Sequence, residues 1–319
     1  MRLRDISAEA YARNVLPLTA SLWAGRRSAE QYVAQTLELA RSAYGRRHHR
    51  TVGLYDGPTL VASFKRYERR MHHASRRLHA IGFGAVFTPL DYRGRGYASY
   101  MLASALDGAR KDAYDVAYLF SDIHPQFYAA LGFRAFPSRE FFLRADALPS
   151  SRLQLARLAS EDWAGVRRCF EHGETRRPAG FVRSPSLWQW IELRMRYGSE
   201  HRIGHETNQV VHGGRRIRAY VSGVRIAERD TYRVDEFGFA DERAIAIVPA
   251  LLRAAAGDLR RIAGWLPPDG ARHALPKGIT RKRNAALLMM APLSRDGERL
   301  IEAAYERSTT DFCWATDHI

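Results

Sequence analysis

The sequence predicts an α/β protein of two units. Three observations carry that expectation. Strand-like alternation in the first half runs into a glycine-rich loop and then into a helical stripe. The second half shows a similar order of elements. The 319 residues, 46% of them hydrophobic, hold enough apolar material for two ordinary cores. The stretch Ala147-Leu148-Pro149-Ser150-Ser151 is the natural place to divide them, giving units 1–148 and 149–319.

Arg2–Ile6 reads as a short strand. From Ala8 to about Ala43 apolar residues recur at helical spacing. Thr51–Tyr55 and Thr59–Phe64 alternate like strands around the turn Asp56-Gly57-Pro58. Lys65–Arg77, crowded with basic residues, falls where a hairpin should turn and is expected to be a solvated loop. Leu78–Thr88 is the returning strand, stopped by Pro89, which cannot continue a ladder. Beyond the loop, Ala98, Met101, Leu102, Ala105, Leu106 and Ala109 share one helical face. Val116–Phe120 is a buried-strand pattern, Pro125–Leu131 a short helix ended by Gly132, and Phe141–Leu143 a further strand. In the second unit, strands are expected over Leu153–Leu158, Arg218–Ile226, Thr231–Phe239, Arg260–Leu266 and Ala285–Met290. Helices should start at Ser160-Glu161-Asp162, span Ser184–Met195 with Trp188 and Trp190 in the core, and run from Asp241 to about Ala256.

The loop is Asp91-Tyr92-Arg93-Gly94-Arg95-Gly96-Tyr97-Ala98. Glycines between a strand and a helix N-terminus let several backbone N–H groups converge on one anion, and the helix dipole favours negative charge there. Arg93 and Arg95 add positive charge beside such a phosphate cradle. A dinucleotide fingerprint would require Gly-x-Gly-x-x-Gly, and a nucleoside-triphosphate loop Gly-Lys-Ser/Thr; neither is present. His201 and His205 stand four apart with Gly204 between them and no His-Glu-x-x-His, so no catalytic metal is expected.

Val86-Phe87-Thr88-Pro89 followed by this loop resembles the acetyl-CoA loop of GNAT acetyltransferases, whose pattern is Gln/Arg-x-x-Gly-x-Gly/Ala. Arg93, Gly96 and Ala98 satisfy it in one register; in the other, Asp91 stands at the first position before Gly94 and Gly96. Gln126-Phe127-Tyr128-Ala129-Ala130-Leu131-Gly132-Phe133 is similar to the family's Phe-Tyr-x-x-Leu-Gly-Phe segment. Residues 1–145 carry the resemblance well and the remainder in outline, with hints of fungal lysine N6-acetyltransferases and of multidomain aminoglycoside acetyltransferases.

The resemblance implies a GNAT-type mixed sheet flanked by helices, with a second, degenerate GNAT-like domain shaping the acceptor site. It implies an N-acetyltransferase whose cosubstrate is acetyl-CoA and whose acceptor is a small amine or amino acid. Val86, Phe87 and Thr88 would pair with the pantetheine arm, and Arg93, Gly94, Arg95, Gly96, Tyr97 and Ala98 would hold the pyrophosphate. Tyr128 would protonate the departing thiolate. His79, at the start of the strand leading to the loop, is a candidate proton relay. Asp122 is a candidate for attracting the cationic amine, and the carboxylate of Ile319 or Asp317 for reaching the acceptor site. The equivalent loop of the second unit, Glu236-Phe237-Gly238-Phe239-Ala240-Asp241, lacks a basic residue and the second glycine, so one cofactor per chain is expected.

The composition bounds the remainder. Fifty Lys and Arg against 34 acidic residues leave a net charge of +16, which suits an anionic ligand; a nucleic-acid-binding protein with a relic fold is the alternative reading. Two isolated cysteines, Cys169 and Cys313, suggest neither a disulfide framework nor a thiolate metal site. No apolar run reaches membrane-span length and the first residues lack a signal design, so a cytoplasmic location is expected.

Overall fold

The computed structural model describes all residues except 26, 123, 151, 175–176, 197–203, 307–312 and 319. Chain order is β1 (Arg2–Ile6), α1 (Ala8–Asn14), α2 (Leu16–Trp23), α3 (Ala29–Arg41), α4 (Ala43–His48), β2 (His49–Asp56), β3 (Thr59–His73), β4 (Arg76–Phe87), α5 (Tyr97–Lys111), β5 (Val116–Ser121), α6 (Pro125–Ala129), β6 (Arg134–Ala135) and β7 (Arg139–Arg144). It continues with β8 (Ala156–Arg157), α7 (Trp163–Glu174), β9 (Ala179–Val182), α8 (Pro185–Arg196), β10 (His205–Gly213), β11 (Arg216–Ile226), β12 (Thr231–Phe239), α9 (Glu242–Ile245), α10 (Val248–Ala256), β13 (Arg261–Trp265), α11 (Asp269–Arg272), β14 (Ile279–Lys282), β15 (Leu287–Pro292) and α12 (Arg295–Glu306).

Side-chain caps explain why the first helical region breaks into pieces. Ser7 accepts from Ala10 N–H, and Ser28 and Gln31 form a reciprocal capping box. Ser42 accepts from Gly45 N–H, each hydroxyl opening a new helix. The expected helix from Asp241 also divides, because Pro249 suits the first turn of a helix and α10 starts there after α9 has ended.

The chain forms two compact units: residues 1–136, 181–199 and 285–306, and residues 137–180, 200–284 and 307–319. Both draw on either side of the 148/149 division read from the sequence. In the first, strand order is β1-β2-β3-β4-β5-β15-β6; in the second, β14-β7-β13-β12-β11-β10-β8. The late strand β15 pairs antiparallel with β5, from Leu287↔Ser121 to Pro292↔Val116. The early strand β7 pairs with β13 and β14. Alternation identifies a strand, but its sheet is a long-range choice that no local pattern encodes. Leu153–Leu158 shortens to β8.

In the first unit, α5 covers one sheet face, burying Met101, Leu102 and Leu106 with Phe64, Ile81, Phe83, Leu119 and Phe133. On the other face Trp190 of α8 meets Tyr44 of α4 at 5.8 Å and His49 of β2 at 6.3 Å; Trp188 is buried as well, in keeping with core packing for both. In the second unit α7 and α10 pack on β11 and β12.

The expectation of a solvated loop over Lys65–Arg77 is corrected. β3 continues to His73, paired from Lys65↔Gly84 to His73↔Arg76, and the chain reverses at Ala74–Ser75. The period of two puts Tyr67, Arg69 and Met71 on a buried face. The Arg69 guanidinium lies 4.3 Å from the Phe181 ring centroid, while Arg70, Arg76 and Arg77 are exposed. Arg69→Ser should therefore cost about 1–3 kcal/mol through lost cation–π and stem packing. The pair Arg70→Ser and Arg77→Ser should stay within about 0.5 kcal/mol. Urea unfolding of the two variants separates them; equal losses would mean that Arg69 is not packed as described.

Candidate acyl-CoA site

The glycine loop follows a strand that outruns its neighbour. β4 and β5 are parallel and in register only from Ala80↔Val116 to Gly82↔Tyr118. On its other side, the β3 pairing shifts between Ser63 and Lys65, and Ala85 takes a positive φ of 45°. Such a bulge bends the strand and re-aims its peptide groups, and a left-handed alanine is a local strain that marks sites where backbone geometry matters. Val86 and Thr88 are half-buried beyond the bulge; Phe87 is buried and turns to the side of α1 and α3, packing with Val15, Leu16 and Tyr32.

After Pro89 a single 3-10 turn, Leu90–Tyr92, leads to the loop. Arg93 Nε donates to Thr88 O at 3.0 Å, tying the loop to the end of β4. Gly94 and Gly96 have φ of 76° and 77°, and a Cβ added at either would meet no atom within 4 Å. The glycines thus line open space, in a conformation L side chains rarely adopt. Gly96 is the N-cap of α5, no side chain caps that end, and no acid occupies its first turn. The amides following Gly96 and the positive end of the dipole are therefore presented to an anion. Arg93 and Arg95 are exposed beside them, the Arg95 guanidinium 5.8 Å from the Tyr92 centroid, and Tyr97 and Ala98 are half-buried. These residues fit a diphosphate: a concave backbone nest with cations at its rim.

Tyr128 packs against the same first-unit core cluster as Val86, Tyr92 and Tyr97, with its ring beside Phe127 and Phe133. Its place is locked by the end of α6, where Phe133 N–H donates to Tyr128 O at 3.1 Å across the left-handed Gly132. Desolvation first, and the Asp122 carboxylate second, push the Tyr128 phenol above the ordinary tyrosine range. The phenol is thereby held in its neutral form. Asp122 is exposed on the bend after β5, close enough for its charge to be felt at that phenol.

Residues 5–136 match the family model described as acetyltransferase (GNAT) domain. This part of the chain is a GNAT domain. No curated protein matches the sequence. Among solved structures, a GCN5-related N-acetyltransferase from Kribbella flavida is similar at 20% identity with a TM-score of 0.66, covering 93% of this chain and 73% of that one. Saccharomyces cerevisiae N-myristoyltransferase with bound myristoyl-CoA has 11% identity and a TM-score of 0.55, over 91% and 80%. A tandem GNAT protein from the clavulanic acid biosynthesis pathway has 14% identity and a TM-score of 0.51, over 92% and 98%. At these identities the likeness is one of fold, and its span makes the second unit GNAT-like too. The GNAT acetyltransferase fold points to acyl transfer from acyl-CoA to an amine.

Other sequence candidates do not gather at this site. His79 lies seven residues before Val86 on the GNAT domain's β4, about 23 Å away at the usual strand rise. Its ring Nε2 is 2.7 Å from Arg70 Nη1, and its backbone N–H donates to Asp115 Oδ2 at 2.8 Å. Strand geometry thus removes it from the loop. Asp317 is buried in the second unit, where it accepts from Trp314 N–H at 3.0 Å; Ile319, like His201, lies outside the described residues. No cluster of three or more His, Cys, Asp or Glu side chains forms a metal-binding arrangement among the described residues. No helix among them is long and apolar enough to cross a membrane.

Proposed function

We propose that the protein transfers the acetyl group of acetyl-CoA to the primary amine of a small acceptor by direct attack in a ternary complex. The observation that carries this reading is the left-handed glycine pair, open on its concave side, running straight into an uncapped helix beside a strand that outruns its parallel neighbour. In this reading the peptide groups of Val86, Phe87 and Thr88 pair with the pantetheine arm. The amides of Arg93 to Ala98 and the two guanidinium groups hold the pyrophosphate. Tyr128 donates its proton to the leaving thiolate, and Asp122 draws the acceptor's ammonium towards the same end. Fixing both reactants removes much of the entropic barrier, so no covalent enzyme intermediate is required.

One acetyl-CoA per chain is expected. The second unit's counterpart of the loop ends β12 with Phe239, and Asp241 caps α9 by accepting from Ala244 N–H at 2.8 Å. A carboxylate already holds that helix end and would repel a phosphate. Calorimetric titration should find a single site, and mass spectrometry of amines incubated with protein and acetyl-CoA should find acetylated product. Two equivalent sites would refute the stoichiometry. No product from any amine, together with nucleic-acid binding that weakens steeply with salt, would favour the nucleic-acid reading.

A further inference from the structure

The acetyl-transfer reading leaves the acceptor's own proton unassigned: an aliphatic amine arrives as ammonium, and its lone pair must be freed before it can attack. The sheet face opposite α5 supplies a group for this. A cavity of about 250 Å³ opens there in the first unit, with Asn14, Val15, Leu18, Leu60, Ser63 and Phe87 in its wall. Ser63 and Phe87 are register partners at one edge of the β3–β4 bulge, and Lys65 and Gly84 are the partners at its other edge. Ser63 and Lys65 are two apart on one strand; Val15 and Tyr11 are one helical turn apart, joined by Val15 N–H to Tyr11 O at 2.9 Å. The corner Val15–Ser63 therefore continues, one step along both elements, to Tyr11–Lys65, where Lys65 Nζ lies 5.4 Å from the Tyr11 ring centroid.

We infer that Lys65, entering the reaction as the neutral amine, is the general base that takes the proton from the acceptor's ammonium in this cavity. The inference rests on the acetyl-transfer reading and names a catalytic residue within it. Lys65 Nζ accepts one proton and becomes ammonium. The freed acceptor nitrogen forms the N–C bond to the acetyl carbonyl as the C–S bond breaks. The thiolate takes the Tyr128 proton, the tyrosinate takes the second proton that the nitrogen sheds as it becomes an amide, and Lys65 then returns its proton to solvent.

The surroundings make a neutral lysine accessible. From α1 comes Tyr11, from the turn before α3 Arg27, from α3 Tyr32, from α4 Tyr44, from β2 His49, from β3 Tyr67 and from α8 Arg194. β4 presents only Gly82 and Gly84 here. Burial first and the Arg27 charge second pull the Lys65 ammonium down to about 8, with no carboxylate contributing. His49, stacked on Tyr67 at 4.8 Å with both ring nitrogens buried and unpaired, is pulled down to about 3 and stays neutral. A group near 8 is matched to proton abstraction at physiological pH. The Arg27 charge felt at Lys65 also disfavours acceptors with further positive charges, so the expected substrates are small monoamines with an apolar body.

The test compares wild type, Lys65→Met and Lys65→Arg, after acetyl-CoA affinity and melting temperature have been measured for each. With an aliphatic monoamine, wild-type kcat/KM should rise with pH and level off above about 8. Both variants should fall by about 10²–10⁴-fold at pH 8, and their rates should climb with pH towards the acceptor's own pKa near about 10. With a weakly basic aromatic amine, already neutral at pH 8, both variants should recover to within about threefold of wild type. Equal losses with both acceptors, or a variant keeping the wild-type pH profile, would overturn the assignment. A wild type that acetylates no amine at all would overturn the acetyl-transfer reading, and this one with it.

Discussion

Tyr128→Phe should lower turnover by about 10²–10⁴-fold while leaving acetyl-CoA affinity nearly unchanged. The departing thiolate develops full negative charge, and a positioned proton donor typically supplies that much rate. The phenol is well suited: its raised pKa, set by desolvation and the Asp122 charge, keeps it protonated over the working range. Phenylalanine preserves the contacts with Phe127 at 5.0 Å and Phe133 at 6.3 Å, and the closing bond from Phe133 N–H uses the backbone carbonyl of residue 128, which the substitution leaves in place. A purely structural hydroxyl would behave differently, its loss costing on the order of 1 kcal/mol of stability without a selective fall in turnover. Kinetics and thermal unfolding on the same variant decide between them, and full activity would refute the proton-donor role.

Gly96→Val should weaken acetyl-CoA binding by roughly 100-fold or more, the equivalent of one or two charge-assisted hydrogen bonds. Two effects act together. At φ 77° a β-branched residue is strained, and the open space beneath Gly96 is the space the phosphates would occupy. Gly214, in the second unit, supplies the control: it has φ 64° and equally open surroundings, but joins β10 to β11 with no helix N-terminus behind it. Gly214→Val should show comparable strain in its melting temperature and unaltered acetyl-CoA affinity. If Gly96→Val stays folded and binds acetyl-CoA as wild type does, the nest on α5 is not the cofactor site.

The motifs were readable because each is local. Gly94, Gly96 and the stripe from Ala98 to Ala109 signal a loop that must bend sharply into a helix, and the structure has that bend at Gly96. Pro89 ends β4 within two residues of where it should, and Thr231–Phe239 is a strand to the residue. Misreading arose where two local signals competed. Positive charge over Lys65–Arg77 suggested solvent, whereas Tyr67 and Met71, two and six positions after Lys65, carried the period-two signal of a strand with a buried face. Following that alternation would have shown Lys65 and Arg69 turned to the same side. The cavity at the Ser63–Phe87 edge of the bulge joins residues from β1, α1, α2, β2, β3 and β4, and nothing in any one of those segments announces it.

By itself the sequence determined the α/β class, the glycine loop that bends into α5 and the turn after α6 at Gly132. Each depends on neighbours within a few residues, where backbone sterics, capping and periodicity act. Only the tertiary structure decided that β15 completes the first sheet and β7 the second, that His79 lies far along β4 from the loop, and that Arg69 is buried. Those outcomes depend on which distant strands pair, and pairing is settled by burial of whole faces over long loops rather than by any residue's own preference.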